Sequence, residues 1–402
     1  MRVIVVGSGA REHALAWRLA QSPALTSLHA APGNPGIATL GQCHPVRADD
    51  GDGLLALART LDANLVVIGP EAPLVAGVAD ALRRNGVAVL GPSAGAARIE
   101  GSKTFAKDVM RAARVPFAQT LAVARPPCVV KADGLASGKG VFVCRTNDEL
   151  DEALRAVRAF GESVVIEELL EGREVSVFAL SDGRHVVPLP AAQDFKRIGD
   201  GDTGPNTGGM GAYSPVPWVA DVEELVEQIH KPVVEELARR GTPFVGCLFA
   251  GLMVTDDGPR VLEFNARFGD PETQVLMPRL GGDTLELLAA TARGNLDGAT
   301  AEQSDAATVT VVLAGPDYPT RSDYAGAAID GIDLAEQAGA LVFHGGTAAR
   351  DGQLVTNGGR ILSVTGMGDT LATARSRAYD AVNLISFDGV QYRHDIAETA
   401  SA

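Results

Sequence analysis

The sequence predicts a multidomain protein of mixed α/β and α+β class, and three observations support this prediction. The chain has 402 residues, of which 46% are hydrophobic, and this is enough for about two to four conventional cores. Apolar, strand-like runs alternate with helical patterns over residues 1–100. After about residue 295 the pattern becomes rich in strands, which indicates a separate C-terminal unit.

Residues 1–100 predict a doubly wound parallel α/β domain. Apolar runs at 3–7, 65–69 and 87–91 each end at a glycine, and helical patterns separate them. This alternation is typical of parallel sheets whose strands are connected through helices.

Residues 101–295 predict a second domain, which contains a small antiparallel lid subdomain over about residues 118–178. An amphipathic helix begins at Lys103. The elements predicted after it are two short strands around a glycine loop, a helix near 148–159, strands over 164–190, a glycine-rich loop at 193–214, a helix over 221–240 and a strand pair at 247–255 and 260–266. Residues 296–402 predict a β-rich C-terminal domain with a strand at 308–315 and a helix over 369–385.

The charge balance limits the classes of partner. The chain has 35 basic and 50 acidic residues and a net charge of −15. A chain this acidic is not expected to bind nucleic acid, so any phosphate binding must come from local basic clusters. Four of the six lysines lie between residues 103 and 139, which favours phosphate contact there, although chance clustering of surface charges is the alternative.

Cysteine usage and the N-terminus indicate a cytoplasmic protein that is not bound to membranes. Cys43, Cys128, Cys144 and Cys247 are far apart in the sequence, so we expect reduced thiols and neither a disulfide scaffold nor a zinc site. The first residues enter a strand directly, and no apolar run reaches the ~18 residues of a membrane span.

The segment VLEFNARFGDPETQ, residues 261–274, predicts a site for a magnesium nucleotide. In a strand, alternate side chains share a face, so Glu263, Asn265 and Arg267 should point the same way, with Asp270 just beyond. Magnesium prefers oxygen ligands, and an arginine beside it can stabilise a transferring phosphoryl group. The alternative is an ordinary strand that ends in a polar turn.

The opening GSGAREH places Gly7 and Gly9 between a strand and a helix, where backbone N–H groups can receive an anion. Glu12 occupies the third glycine position of the dinucleotide fingerprint, which argues against a nicotinamide cofactor. A substrate phosphate fits better, with Arg11 as a candidate partner. A tight turn that serves only packing is the alternative.

Two further segments could contact a nucleotide. KADGLASGKGV, residues 131–141, has three glycines and two lysines between strands; it does not match a Walker A loop, but it could cover phosphates unless it is only a solvated turn. EELLEGREVS, residues 167–176, could read adenine through its main chain and ribose through a carboxylate. The loop at 194–215 joins Lys196 and Arg197 to a TGGMG run and is more typical of a functional loop.

Taken together, six segments resemble the phosphoribosylamine–glycine ligase (glycinamide ribonucleotide synthetase) family of the ATP-grasp superfamily. They are GSGAREH, GPEAPL (69–74), GSKTFAKD (101–108), KADGLASGKGV, GPNTGGMGAYSP and RFGDPETQ. The resemblance runs from residue 1 to about 395. It implies a central ATP-grasp fold, in which ATP lies between the lid and a larger piece, flanked by the N- and C-terminal domains.

The resemblance also implies roles for individual residues. The residues implied to bind ATP are Lys103, Lys131, Gly138, Glu167, Glu168, Leu169, Leu170, Glu174, Arg197 and Asn206. Glu263 and Asn265 would hold Mg²⁺ or Mn²⁺. Gly9, Arg11 and Glu12 would help to bind 5-phosphoribosylamine, and Arg267 and Asp270 would lie near the reacting groups as catalytic residues.

The implied reaction transfers the γ-phosphoryl group of ATP to glycine, and the amine of phosphoribosylamine then attacks glycyl phosphate. The expected partners are these small molecules, with no nucleic acid and no membrane, and the protein would be a monomer or a weak homo-oligomer. Two features depart from the family. Gly251 stands where many ATP-grasp enzymes have an acid, and the stretch 117–129 is short. Another carboxylate-activating ligase, a non-catalytic nucleotide-binding protein and a dehydrogenase are the alternatives.

Overall fold

The computed structural model describes residues 1–136, 139–161 and 163–401. The N-terminal part is a parallel five-stranded sheet with the strand order β3-β2-β1-β4-β5. Its elements are β1 (Arg2–Gly7), α1 (Ala10–Leu19), β2 (Ser27–Pro32), β3 (Gln42–Cys43), α2 (Gly51–Thr60), β4 (Leu65–Ile68), α3 (Glu71–Val75), α4 (Val78–Arg84), β5 (Val89–Leu90) and α5 (Ala94–Gly101). The central strands are buried along their length because helices cover the sheet.

The middle of the chain carries two antiparallel sheets, one small and one large. Its first elements are α6 (Lys103–Ala113), β6 (Cys128–Ala132), β7 (Val141–Cys144), α7 (Asn147–Ala156), β8 (Val164–Glu168), β9 (Arg173–Asp182) and β10 (Val186–Pro188). Strands β7, β6 and β8 form the small sheet in that order, which confirms the predicted strands around the glycine loop. The small sheet has its own core with α7.

The large central sheet has the order β10-β9-β15-β16. The remaining middle elements are β11 (Gln193–Asp194), β12 (Arg197–Gly199), β13 (Thr203–Asn206), β14 (Gly211–Ser214), α8 (Val222–Leu225), α9 (Lys231–Arg239), β15 (Val245–Thr255), β16 (Gly258–Asn265), α10 (Thr273–Leu276) and α11 (Thr284–Arg293), with a π-helical turn at Val226–His230. The region predicted as a loop at 193–214 therefore contains four short strands.

Strand β9 changes the boundary of the small sheet. The lid was predicted to extend to about residue 178, but β9 begins at Arg173 and pairs along its length with β15 of the central sheet. Its residues 175–181 are buried, so β9 belongs to the large core and not to the lid. The lid sheet itself ends at Glu168.

The C-terminal part forms a second mixed unit. Its elements are β17 (Ala307–Ala314), β18 (Tyr324–Ala328), α12 (Ile332–Gln337), β19 (Leu341–His344), β20 (Thr347–Arg350), β21 (Gln353–Gly358), β22 (Arg360–Gly368) and α13 (Leu371–Val382). One sheet has the order β11-β14-β17-β22-β19, so strands from the middle of the chain extend the C-terminal sheet. Strands β18, β21 and β20 form a further sheet. Of the helices in the described ranges, none combines the length and apolar character that a membrane crossing requires.

Candidate active site

A buried ion triad lies between the lid and the central sheet. Lys131 on β6 and Glu167 on β8 face the same side of the small sheet, with Lys131 Nζ 2.7 Å from Glu167 Oε2. Lys107 on α6 contacts the other carboxylate oxygen, at 2.9 Å. Burial lowers the pKa of Lys107 against the attraction of Glu167. Lys131 also donates to the carbonyl of Leu262 on β16 at 2.9 Å, so the triad joins the lid to the strand that carries the predicted metal ligands.

The hinge after β8 can offer main-chain groups to a base. The carboxylate of Glu167 is committed to two lysines, and that of Glu168 accepts from the backbone N–H of Gln119 at 2.8 Å. Leu169 and Leu170 are half-buried between β8 and β9. The predicted adenine contact therefore rests on the backbone and apolar side chains of this hinge.

Lys103 and the lid loop meet at the start of α6. The Nζ of Lys103 donates to the carbonyl of Gly134 at 3.3 Å, and its backbone N–H donates to Asp133 Oδ1 at 2.6 Å. Beyond the turn, Lys139 donates to the carbonyl of Pro319 in the C-terminal part at 2.8 Å. The predicted ATP contact at Gly138 lies outside the described residues.

A second charged cluster surrounds Glu174 on β9. Lys196 Nζ forms a short ion pair with Glu174 and lies 3.4 Å from Asp194 Oδ1. The attraction of Lys196 lowers the pKa of Glu174, and Lys131 and Arg197 add to that effect. Lys131, Glu174 and Arg197, all predicted to bind ATP, are therefore brought to one cleft.

The hairpin formed by β12 and β13 carries Arg197 and Asn206 along the edge of this cleft. The guanidinium of Arg197 donates to the carbonyl of Gly204 at 2.6 Å, across the hairpin. Asn206 Nδ2 donates to the carbonyl of Val141 on the lid strand β7 at 3.2 Å. The hairpin therefore touches the lid directly.

The predicted metal ligands lie at the end of β16. Glu263 is half-buried and pairs in register with Gly251 on β15, and Asn265 is buried. Asn265 Nδ2 has no hydrogen-bond partner among the described residues. Within the same residues, no group of three or more histidines, cysteines or acids could hold a metal ion. The donor set thus fits Mg²⁺ held by one or two protein oxygens and completed by phosphate oxygens.

Two further acidic side chains, Asp194 and Glu272, lie near Lys196 in this cleft. Burial acts to lower the pKa of Lys196, but the surrounding carboxylates, which include Asp194 and Glu263, raise it. Glu272 is buried and accepts from the hydroxyl of Ser176 at 3.2 Å. Burial and the charge of Asp194 raise the pKa of Glu272 to about 7. Neither Asp194 nor Glu272 was identified as a site residue from the sequence.

Arg267 joins the central sheet to the N-terminal domain. Its Nε lies 3.2 Å from Glu71 Oε2, and its Nη2 lies 2.9 Å from Glu100 Oε1. Burial acts to raise the pKa of Glu71, but Arg267 and Arg11 hold that pKa at about 2. Burial acts in turn to lower the pKa of Arg267, yet Glu100 and Glu71 raise it. Arg267 therefore keeps its charge.

The N-terminal glycine loop has a different internal arrangement from the one predicted. Glu12 accepts from the backbone N–H of Gly9 at 2.6 Å and from Arg11 Nε at 2.6 Å, and both charged side chains are buried. Arg11 also donates to the carbonyl of Phe268 at 3.3 Å. Of the three predicted substrate-binding residues, only Gly9 reaches the neighbouring cavity. Arg11 and Glu12 do not line that cavity, because their charges satisfy each other beneath the loop, and their role in substrate binding stays a prediction.

This cavity has a volume of about 500 Å³. It lies where the three parts of the chain meet, and its wall includes Ser8, Gly9, Asn34, Asp270, Gly345 and Arg360. Arg360 Nη2 lies 3.3 Å from Asp270 Oδ2. Burial acts to raise the pKa of Asp270, but the positive charges of Arg360 and Arg11 lower it. The cavity therefore combines small residues with one carboxylate–guanidinium pair.

Arg360 and Asn34 were not identified from the sequence. Arg360 Nη1 donates to the carbonyls of Gly208 and Asp270, at 2.7 and 2.9 Å, and so ties the TGGMG run to the cavity. Asn34 Nδ2 donates to the carbonyls of Ser8 and His344, at 2.9 and 2.7 Å. The glycines before Arg360 and around Asn34 were the available signal, since both stretches look like turns that permit close approach.

One short segment connects the two sites. Residues 263–270 begin with the predicted metal ligands in the cleft and end with Asp270 on the cavity wall. A three-stranded lid over an antiparallel sheet, with lysines, a hinge and oxygen ligands in the cleft between them, defines a nucleotide-binding site of the ATP-grasp class.

Comparisons with known proteins extend this assignment. The chain matches the phosphoribosylglycinamide synthetase N domain over residues 1–100, the ATP-grasp (A) domain over 101–273 and the C domain over 308–399. It is 53% identical over 419 residues to the phosphoribosylamine–glycine ligase of Streptomyces coelicolor, with 100% of each chain covered. The chain belongs to the phosphoribosylglycinamide synthetase family, and the predicted resemblance and fold class are confirmed.

Solved structures agree. The phosphoribosylamine–glycine ligase of Thermotoga maritima has a TM-score of 0.85 and 34% identity, with 99% of this chain and 100% of that chain covered. The biotin carboxylase domain of the Hydrogenobacter thermophilus 2-oxoglutarate carboxylase, solved with magnesium ADP and bicarbonate, has a TM-score of 0.69 and 17% identity, with 97% and 91% covered. This second likeness shows the shared fold alone.

Proposed function

We propose that this protein ligates glycine to 5-phosphoribosylamine with ATP, giving glycinamide ribonucleotide, ADP and phosphate in purine biosynthesis. The family supports the activity, since relatives that match the whole chain are named phosphoribosylamine–glycine ligase. The observation that carries the proposal is the segment 263–270, which joins a nucleotide cleft to a separate cavity. A ligase that activates one substrate and transfers it to another needs two such adjoining sites.

ATP would occupy the cleft between the lid and the central sheet. The hinge from Glu167 to Leu170 would line the adenine, and Glu174 would accept from the ribose. Lys103, Lys131, Arg197 and Asn206 would surround the phosphates, and Gly138 belongs to the same proposed set. The shared position of Lys131, Glu174 and Arg197 around one cleft supports this arrangement.

Phosphoribosylamine would occupy the cavity. Ser8 and Gly9 line the cavity at the start of α1, so the helix N-terminus would face the phosphate. Arg11 and Glu12 would act from beneath the loop by fixing its shape. Asp270, held ionised by Arg360, would face the amine.

Glu263 and Asn265 would hold the divalent cation, which we propose to be Mg²⁺ or Mn²⁺. When bound, the cation would screen the charges of the phosphate oxygens. Both residues lie on one strand, so phosphate oxygens and water would supply the remaining ligands.

The reaction has two steps. A carboxylate oxygen of glycine attacks the γ-phosphorus, the bond to the β-phosphate oxygen breaks, and ADP leaves with glycyl phosphate remaining. The amine of phosphoribosylamine then attacks the carbonyl carbon, loses a proton, and expels phosphate. Lys131 and Arg197 would offset charge on the moving phosphoryl group, and Arg267 would stabilise the acyl phosphate. No protein nucleophile is required.

The domain boundaries and cellular setting follow as part of the same proposal. Residues 1–100 would form the substrate-binding domain, 101–295 the ATP-grasp domain and 296–402 the C-terminal domain. The protein would act in the cytoplasm as a monomer or weak homo-oligomer, without nucleic acid or membrane partners.

The test is ADP release with ATP, Mg²⁺, glycine and freshly generated phosphoribosylamine, with each acceptor omitted in turn. We expect sustained turnover only when both acceptors are present, together with formation of glycinamide ribonucleotide. ADP release that does not depend on glycine would move the protein to another ATP-dependent carboxylate ligase.

A further inference from the structure

The segment from Arg393 to Asp395, near the end of the chain, forms ion pairs and hydrogen bonds with the β12–β13 hairpin. We call this set of contacts the C-terminal grip. The guanidinium of Arg393 is 1% exposed and makes a bidentate pair with Asp395, at 2.7 and 2.6 Å. Its Nη1 donates to Asp202 Oδ1 at 2.7 Å and to the carbonyl of Arg197 at 3.2 Å. One buried guanidinium therefore contacts both the turn of the hairpin and the strand that carries Arg197.

Neighbouring residues repeat this contact along the turn. The backbone N–H of His394 donates to Asp200 Oδ1 at 2.7 Å, and its ring Nδ1 lies 3.0 Å from Asp200 Oδ2. The backbone N–H of Gly201 donates to Asp395 Oδ2 at 2.8 Å. Three consecutive residues of the turn are thus held by three consecutive residues of the C-terminal segment.

Helix α13 anchors the gripping segment. The hydroxyl of Tyr379 donates to the carbonyl of Arg393 at 2.8 Å and accepts from the backbone N–H of Ile396 at 3.0 Å. Arg375 donates to the carbonyl of His394 at 2.7 Å. Because α13 packs on β22 and β17 of the C-terminal sheet, the grip connects the hairpin to a rigid body.

The hairpin needs an external support of this kind. It is a two-stranded sheet, and residues 200–205 are exposed. Isolated two-stranded hairpins are at best marginally stable in water. On its other side the hairpin contacts lid strand β7 through Asn206, and it carries Arg197 next to Lys196, which pairs with Glu174. The hairpin, and Arg197 with it, is thus held between the lid and the C-terminal segment.

The chemistry of Arg393 favours a role in geometry over one in stability. A buried ion pair is weak evidence for stability, because loss of hydration offsets much of the attraction. An arginine provides a planar fork of five donors, which a lysine does not. Here the guanidinium donates to Asp395, Asp202 and the main-chain carbonyl of Arg197 at once. It also lies 4.8 Å from the ring centroid of Phe195.

We propose that Arg393 is a positioning residue for the nucleotide: with Asp202 it fixes the β12–β13 hairpin so that Arg197 and Asn206 meet the phosphate end of ATP. This inference rests on the proposed use of the lid cleft for ATP. It adds to the reaction a residue far along the chain that touches no substrate.

The test begins with Asp202→Asn, because this change acts from the hairpin side. Asp202 has a positive φ of 54°, which asparagine tolerates, and Arg393 keeps its pair with Asp395. We expect the Kd of ATP with Mg²⁺, measured by calorimetry without glycine, to rise by roughly threefold to thirtyfold, as expected when a binding group is misplaced. The KM values for glycine and phosphoribosylamine should stay within about twofold, and Tm should change by about 1 °C or less.

Two further variants complete the test. Arg393→Met should weaken ATP binding at least as much, and the double variant with Asp202→Asn should bind ATP no more weakly than Arg393→Met alone. Both changes act on one contact, which Asp202→Asn leaves as a neutral hydrogen bond and Arg393→Met removes. Arg377→Met is the matched control, because Arg377 is exposed on α13 and bonds to the carbonyl of Met367, away from the hairpin. It should bind ATP like the original protein.

An unchanged Kd for ATP in both Asp202→Asn and Arg393→Met would overturn the inference. So would an equal loss for phosphoribosylamine, because that would indicate general loosening. Failure of the proposed ligation is read separately, from the glycine dependence of ADP release in the unaltered protein, whereas nucleotide binding reports the grip without any turnover.

Discussion

The nucleotide cleft and the cavity differ in how the chain treats charge. In the cleft, Lys131 and Lys107 share Glu167, and Lys196 is surrounded by carboxylates. In the cavity, the wall consists mostly of small residues and backbone, and Asp270 with Arg360 forms the charged pair. When ATP and a metal ion bind in the proposed cleft, ion pairs within the protein would be replaced by ion pairs with the ligand. The cavity proposed for the sugar phosphate instead relies on a loop whose shape is already fixed.

Removing the charged ligand in the cleft should have the largest effect. Glu263→Gln keeps the size of the side chain but removes its charge, so we expect kcat to fall by about 100-fold or more with the fold intact. The measurement is ADP release over a range of Mg²⁺ concentrations, beside the circular dichroism spectrum. Glu235→Gln on the exposed face of α9 is the control. Turnover at the original rate at saturating Mg²⁺ would remove Glu263 from the site.

The two lysines on Glu167 give a matched pair. Lys131→Met should raise the Kd of ATP by roughly tenfold to a hundredfold, because a hydrogen bond to a charged group contributes about 1.5–3 kcal/mol. Lys107 also donates to the carbonyl of Ala118 and lies over the ring of Phe117, so Lys107→Met should lower Tm more and raise the Kd less. Calorimetry and thermal melts of both variants separate these outcomes. Equal effects on the Kd would mean that the cleft does not distinguish the two lysines.

Loss of a charged side chain from the cavity wall should affect phosphoribosylamine and leave ATP binding nearly unchanged, the reverse of what we expect in the cleft. Arg360→Met removes the guanidinium beside Asp270, and we expect the KM for phosphoribosylamine to rise about tenfold, while the Kd of ATP stays within about twofold. Initial rates at fixed ATP and glycine give the first value, and calorimetry gives the second. Arg350→Met, on the exposed end of β20, provides the control. A larger loss for ATP than for phosphoribosylamine would assign Arg360 to the cleft.

The smallest expected effect concerns the ion pair between Glu71 and Arg267, which joins the N-terminal domain to the central sheet. The pKa of Glu71 is lowered from 4.5 to about 2 by Arg267 and Arg11, against the opposing effect of burial. The stabilisation is therefore complete above pH 4.5 and is lost as the pH falls towards 2. Glu71→Gln should lower Tm by about 2 °C or more at pH 7, and the difference from the original protein should shrink below pH 4.5. A difference that does not depend on pH would contradict this, and Glu235→Gln is the control again.

Much of the fold was predictable because it depends on local patterns. The strands predicted at 3–7, 65–69 and 87–91 are observed as β1, β4 and β5, with β5 shorter than predicted, and the helix from Lys103 is confirmed. The lid boundary was misplaced because the residues of β9 are apolar enough for either sheet, and only its pairing with β15 decides between them. Short strands in the 193–214 region carry no periodic signal long enough to detect.

The site was harder to predict wherever it depends on long-range contacts. Glu263 and Asn265 could be identified from their spacing on one strand, although their role as ligands stays a prediction. The sharing of Glu167 by two lysines depends on the register of β6 with β8, which the sequence does not reveal. Arg11 and Glu12 lie next to a loop of the right kind, yet their mutual contact removes them from the cavity wall. Arg360 reaches Asp270, which lies 90 residues earlier in the sequence.

The pairing of β14 with β17 has a consequence for how the protein can be divided. Residues 211–214 of the middle part pair with residues 308–311 as antiparallel strands. Cutting the chain at 295 would therefore leave β14 with an unpaired edge. Such an edge invites pairing with other molecules. A shortened gene product without its last hundred or so residues would therefore tend to aggregate, and the C-terminal part is not a module that can be exchanged or lost independently.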